Sequence, residues 1–342
     1  MTGLIVALPP VSNMPGGALT YAFYAAAVMH SPIHAPGGIA QEFCPSHLNT
    51  IGYYSNTEIR ATKLDFSLIT TFGADIPENL PKPIVAVVHD GHTLYEFGGK
   101  EWAKKVDGFI VDVDSTRSHI LNIVKNASIV RLPLPFIPDT KYFENKNRKN
   151  VIVSLGRIVP ERGHRLVASL SQLGYNVWVI GQEVMHDEYG LYYKKVVSSG
   201  AIIHGTPSEV EKMNLLSISK VAMSFPFTVE LDEPVEFNSL ECISAGLFPI
   251  VANWQKKYFN EDGFRCVAVE HPSVAIKTIE EVFRGEHELD IGYNFDNLRE
   301  IANKFGSRLN KFVDDLNDRE LCSYCNIYIP VGNKFCAICG RK

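Results

Sequence analysis

The stretch Val151-Ile152-Val153-Ser154-Leu155-Gly156-Arg157-Ile158-Val159-Pro160-Glu161-Arg162-Gly163-His164 decides how the chain folds. Its first five residues are nearly all apolar, with no polar alternation, which marks a strand buried on both faces as in a parallel sheet. Gly156 then allows a ligand to come close to the backbone, and Pro160 suits the first turn of a helix. The segment is a strand, a tight turn and the start of a helix.

The same unit recurs along the chain. Further strands are expected at 3–8, 66–71, 84–88, 108–113, 128–132, 176–180, 201–203, 220–224, 248–252 and 266–269, with helix-like segments between them. Strand and helix in alternation give an α/β, doubly wound fold. The pattern breaks between Pro133 and Asn150, where three prolines precede a polar, mostly basic run that reads as a linker. Two Rossmann-like lobes are therefore expected, 1–140 and 150–300. A helical stripe follows (Leu298, Ile301, Phe305, Leu309, Phe312, Leu316), giving a C-terminal helix at 301–318 and a cysteine-rich tail at 319–342.

The chain has 342 residues, which at about 150 residues per domain suits two domains with an appendage. With 46% hydrophobic and 21% charged residues, disorder and rod-like coiled coils are excluded for the chain as a whole. A net charge of -5 argues against binding nucleic acid by bulk basicity. No apolar run approaches the roughly 20 residues that span a bilayer. The opening Met1 to Leu8 reads as a buried strand and not a signal peptide, so a cytoplasmic protein is expected.

Arg157 and Arg162 stand at the C-terminal end of a strand, where open α/β sheets bind ligands, and could converge on a phosphate. Two solvated arginines on a loop are the alternative. Later, Glu230, Asp232, Glu233 and Glu236 precede or enter a helix that ends at Gly246, and Glu241 lies about two turns inside it. Carboxylates there can accept hydrogen bonds from sugar or ribose hydroxyls. For Glu230, Asp232 and Glu236 the simpler account is that early acids favour a helix N-terminus. Glu241 resists it, because an unpaired carboxylate deep in an apolar helix is costly.

Gly156-Arg157, Glu161-Arg162-Gly163 and Glu233-x7-Glu241 leading into Ser244-Ala245-Gly246 and Pro249-Ile250-Val251 together resemble the donor-binding lobe of retaining GT-B glycosyltransferases, specifically family four, the glycosyl transferases group 1. The likeness is good over about 150–255 and weaker before it. In the first lobe, Pro15-Gly16-Gly17-Ala18 is similar to the family's glycine-rich loop, and His89 to its histidine beside the transferred sugar. The resemblance implies a nucleotide-diphosphate sugar donor and transfer with retention of configuration. Arg157 and Arg162 would neutralise the departing diphosphate, Glu241 would bind the ribose and Glu233 the donor sugar. Gly16, Gly17 and Gly156 would line the donor site with His89, and no catalytic metal is needed. Arg162 stands where the family more often has lysine, and Asn238 where glycine is common, which leaves the donor sugar open.

Cys322-x2-Cys325-x10-Cys336-x2-Cys339 is similar to a zinc ribbon, in which four thiolates surround one structural zinc. Disulfides or a redox dithiol are the alternative. Two other readings stay open: an inactive GT-B-like scaffold that uses the ribbon to dock a partner, and a transferase acting on DNA. The acceptor is not given by the sequence.

Overall fold

The structure is a computed structural model. It describes residues 1–8, 17–48, 51–70, 76–89, 99–112, 114–184, 187–226, 235–287, 290–321 and 328–330. The chain divides into two compact units, Met1–Pro135 with Ala302–Lys342, and Phe136–Ile301.

The first unit is built on β1 (Gly3–Val6), β2 (Ile33–His34), β3 (Phe66–Ile69), β4 (Ile84–Val88), β5 (Gly108–Val111) and β6 (Ile129–Arg131). They form one sheet in the order β2-β1-β3-β4-β5-β6, with every pairing parallel. Every residue of β1, β3, β4 and β5 is buried. Leu4, Val6, Ile69, Ala86, Val88, Phe109 and Val111 make one face of the core, closed by Trp102 and Ile120. Helix Gly17–Met29 follows β1 and is buried nearly all round, which is why its apolar run shows no single hydrophobic stripe. Its 13 residues are too few to span a bilayer. No helix among the described residues is long and apolar enough to cross a membrane.

The second unit holds β7 (Val151–Leu155), β8 (Asn176–Ile180), β9 (Ile202–Ile203), β10 (Val221–Ser224), β11 (Phe248–Ala252) and β12 (Val267–Val269). Their order is β12-β11-β10-β7-β8-β9, again parallel throughout. Read from β9, this is the doubly wound 3-2-1-4-5-6 order, and winding reverses between β7 and β10. Successive residues of β7 serve opposite cores. Ile152 packs with Val177, Val221, Met223 and Phe248, while Val151 and Val153 pack with Ile180, Leu216, Cys242 and Leu247. Burial on both faces explains the unbroken apolar runs.

The polar run expected as a linker is docked onto the second unit. Asp139 caps helix Thr140–Phe143 by accepting from Lys141 N at 3.3 Å. The Arg148 guanidinium donates to the carbonyls of Ser219, Phe143 and Ala245 at 3.0, 3.0 and 2.7 Å. The C-terminal helix runs from Ile291 to Asn317, longer than its apolar stripe, and all six stripe residues are buried. It is followed by an antiparallel pair, β13 (Arg319–Leu321) with β14 (Tyr328–Pro330).

Candidate functional site

The turn that follows β7 at the carboxyl edge of the second sheet carries Arg157 and Arg162. Beyond β7 the backbone continues its pairing for a short distance: Gly156 N donates to Ile180 O at 2.9 Å and Ile158 N to Gln182 O at 2.9 Å. The two loops run so close that a Cβ on Gly181 would overlap the Gly156 carbonyl oxygen. The turn Pro160–Arg162 then ends at Gly163, which is left-handed (φ +65°), and a Cβ there would overlap the Phe225 carbonyl just past β10. Backbone contact thus sets Arg162 beside the end of β10 and Arg157 beside the loop that follows β8.

His164 braces this turn from beneath. Its Nδ1 accepts from Ser154 Oγ at 2.8 Å, and its Nε2–H donates to the Arg157 carbonyl at 2.9 Å. Burial pushes its pKa down to about 4, so the ring is neutral and its tautomer is set by these two bonds. The sequence reading assigned His164 no role.

Helix Phe237–Ser244 brings the acids. Glu236 stands at its N-cap but makes no capping bond; its carboxylate is ion-paired with Arg162 and accepts from Asn238 Nδ2 at 3.2 Å. The simple helix-terminus account of Glu236 is right about its place and wrong about its partner. Asn238 also faces the first loop, since a Cβ on Gly156 would come within 3.0 Å of its Nδ2.

Glu241 lies a turn further along and is 7% exposed. Its Oε1 accepts from Lys212 Nζ at 2.8 Å, and its Oε2 has no hydrogen-bond partner among the described residues. Lys212 belongs to helix Glu209–Ser217, whose start is fixed by a Ser208–Glu211 capping box. The same ammonium meets Glu209 Oε2 at 2.7 Å. Burial draws the Lys212 pKa down, but the carboxylates of Glu241 and Glu209 more than reverse this and hold it above the ordinary lysine range. Burial in turn raises the Glu241 carboxyl against the pull of Lys212. A carboxylate with one oxygen anchored and the other buried and unsatisfied is suited to accept from a ligand hydroxyl.

In the first unit, Gly17 opens the helix after β1 and His89 follows β4, both at the carboxyl edge of that sheet. His89 Nδ1 pairs with Asp112 Oδ2 at 2.9 Å, and Arg131 Nε donates to the Asp112 carbonyl at 3.0 Å. The Tyr21 ring stands edge-on to His89, with centroids 5.3 Å apart. The register that pairs Val88 with Val111 carries on to set His89 beside Asp112, a signal the sequence holds only once strand pairing is known.

Gly16, Glu233 and the four cysteines Cys322, Cys325, Cys336 and Cys339 lie outside the described residues. Among the described residues no cluster of three or more His, Cys, Asp or Glu could hold a metal.

No protein-family profile and no curated protein sequence matches the chain. Solved structures do match. An alpha-glucosyltransferase in complex with UDP-glucose and DNA containing an abasic site superimposes with a TM-score of 0.64 at 12% identity, over 92% of this chain and 99% of its own. HepE of Anabaena in complex with UDP gives 0.62 at 13% identity, over 92% and 100%. AviGT4, a glycosyltransferase involved in avilamycin A biosynthesis, gives 0.56 at 12% identity, over 91% and 97%. At such identities it is the architecture that is shared: two parallel-sheet α/β domains with the GT-B glycosyltransferase fold.

Proposed function

We propose that the chain transfers a sugar from a nucleoside-diphosphate donor to an acceptor hydroxyl, with retention of configuration as the family-four resemblance implies. The observation that carries this reading is the pair Arg157 and Arg162 in the turn that follows β7, with Arg162 held to Glu236 at the start of the helix on which Glu241 keeps one buried, unsatisfied oxygen. Crevices at points where the winding reverses are where open α/β sheets bind nucleotides. Uridine diphosphate sugars are the first donors to try, because HepE was solved with UDP and the alpha-glucosyltransferase with UDP-glucose.

In this reading Arg157 and Arg162 take the diphosphate, where negative charge builds as the glycosidic bond breaks. Glu241 Oε2 accepts from a ribose hydroxyl, and Glu233 holds the donor sugar. Gly16, Gly17 and Gly156 let ligand approach the backbone, and His89, set by Asp112, serves the reacting sugar. Fixed cations do the electrostatic work, so no catalytic metal is needed. The two Cys-x-x-Cys pairs of the tail supply four thiolates, the donor set of a structural zinc, and one zinc per chain by elemental analysis tests that assignment.

A nucleic-acid acceptor is the second reading, favoured by the likeness to the alpha-glucosyltransferase solved with DNA. The net charge of -5 weighs against it. The donor assignment is tested by thermal unfolding with a panel of sugar nucleotides, since a ligand bound only by the folded state raises the midpoint. At least one uridine diphosphate sugar is expected to do so; a panel that leaves the midpoint unmoved overturns the reading.

A further inference from the structure

Arg162, assigned above to the donor's diphosphate, already holds an anion of the chain's own. Its guanidinium is ion-paired with Glu236, and the two side chains are only 18% and 8% exposed. Glu236 sits at the N-cap of helix Phe237–Ser244, where an acid ordinarily turns to the helix's first amides. It makes no such bond, because its carboxylate is turned to Arg162 and Asn238. A carboxylate and a phosphate present the same pair of acceptors to a guanidinium fork, so they compete for it.

We infer that Glu236 is an exchangeable internal anion and a specificity-determining residue: a diphosphate enters by taking Arg162 from Glu236. The identity of the ligand rests on the nucleotide-sugar reading, whereas the exchange itself concerns any diphosphate. A buried carboxylate stripped of its cation is costly unless another partner is at hand. The first amides of its own helix supply one, within reach of a side-chain rotation. Exchange therefore favours ligands charged enough to displace a carboxylate and discriminates against neutral nucleosides and free sugars.

The apparent affinity of a site is reduced by the fraction of molecules in which it is free. Were Glu236 on Arg162 in about nine molecules of ten, removing its charge would tighten binding about tenfold. The experiment is calorimetric titration of the full chain and of Glu236→Gln with inorganic pyrophosphate and, separately, with UDP. Glutamine keeps the size of the side chain and an oxygen for Asn238. Pyrophosphate is expected to bind Glu236→Gln about tenfold more tightly, and the gain is expected to vanish in an Arg162→Gln background. Should Glu236→Gln fail to fold, Glu236→Asp keeps the charge but withdraws it from Arg162, and the same direction is expected.

Pyrophosphate bound no more tightly by these variants, or a gain that survives without Arg162, overturns the exchange. The two readings fail separately. Tightened pyrophosphate with no UDP binding by either protein keeps the exchange and removes the nucleotide donor. UDP binding without tightening of either ligand does the reverse.

Discussion

Lys212 Nζ lies 2.8 Å from Glu241 Oε1 and 2.7 Å from Glu209 Oε2, so one ammonium on helix Glu209–Ser217 anchors a buried carboxylate on a neighbouring helix. Glu241 owes its orientation to that contact, and with it the direction of its unsatisfied oxygen.

Replacing Lys212 with methionine leaves the Glu241 carboxylate buried without its cation. Breaking such a pair is expected to cost about 3 kcal/mol of unfolding free energy, read by denaturant titration. Lys212→Met/Glu241→Leu removes both charges and is expected to recover most of that loss while still failing to bind nucleotide. A double variant no more stable than Lys212→Met would show that the pair is not what holds the two helices.

His164 ties stability to pH. Unfolded, its imidazole protonates below its ordinary pKa of 6.5; folded, it stays neutral down to about 4. Its contribution is therefore complete above pH 6.5 and is lost as pH falls from 6.5 to 4. The loss amounts to roughly 3 kcal/mol across that window. His164→Gln is expected to flatten the profile there, measured as midpoint against pH, and an unaltered profile would mean the ring is not buried neutral.

Asp112 fixes which nitrogen of His89 carries the proton. Asp112→Asn keeps the size but presents a donor or a weaker acceptor to Nδ1, favouring the wrong tautomer. Turnover is expected to fall at least tenfold, with the thermal midpoint nearly unchanged. Full turnover in this variant would remove His89 from the chemistry.

Much of the fold is legible in the sequence because both sheets are parallel and covered on both faces. Each of the eleven apolar runs anticipated becomes a strand, β1 and β3 to β12. Three strands are not anticipated: β2 has two residues, Ile33 and His34, and β13 and β14 have three each, too few to show a pattern. The polar run before Val151 looks solvated because most of its residues are hydrophilic, yet Arg148 finds the Phe143 carbonyl within the run and two more, of Ser219 and Ala245, from distant segments. The site is legible in the same uneven way. Gly156 and Arg157 stand out because strand, glycine and cation are neighbours in sequence. The partners of Arg162, Glu241 and His89 do not, because Glu236, Lys212 and Asp112 reach them only through tertiary packing.

Two left-handed glycines separate backbone strain from contact. Gly163 and Gly285 both have positive φ, +65° and +75°; a Cβ on Gly285 meets nothing within 4 Å, whereas one on Gly163 overlaps the Phe225 carbonyl. Gly285→Ala is expected to cost about 1 kcal/mol and Gly163→Ala about 3 kcal/mol. Calorimetric unfolding of both variants measures the difference, and equal costs would mean that the Arg162 turn is not seated against β10.

The most direct measurement is sugar transfer or donor hydrolysis by Arg157→Ala, using whichever sugar nucleotide the wild-type chain turns over. If Arg157 neutralises charge that develops on the leaving diphosphate, kcat falls by about a hundredfold to a thousandfold, while the Kd for free UDP rises far less. A variant that turns over at the wild-type rate would contradict the placement of the reaction at this strand end.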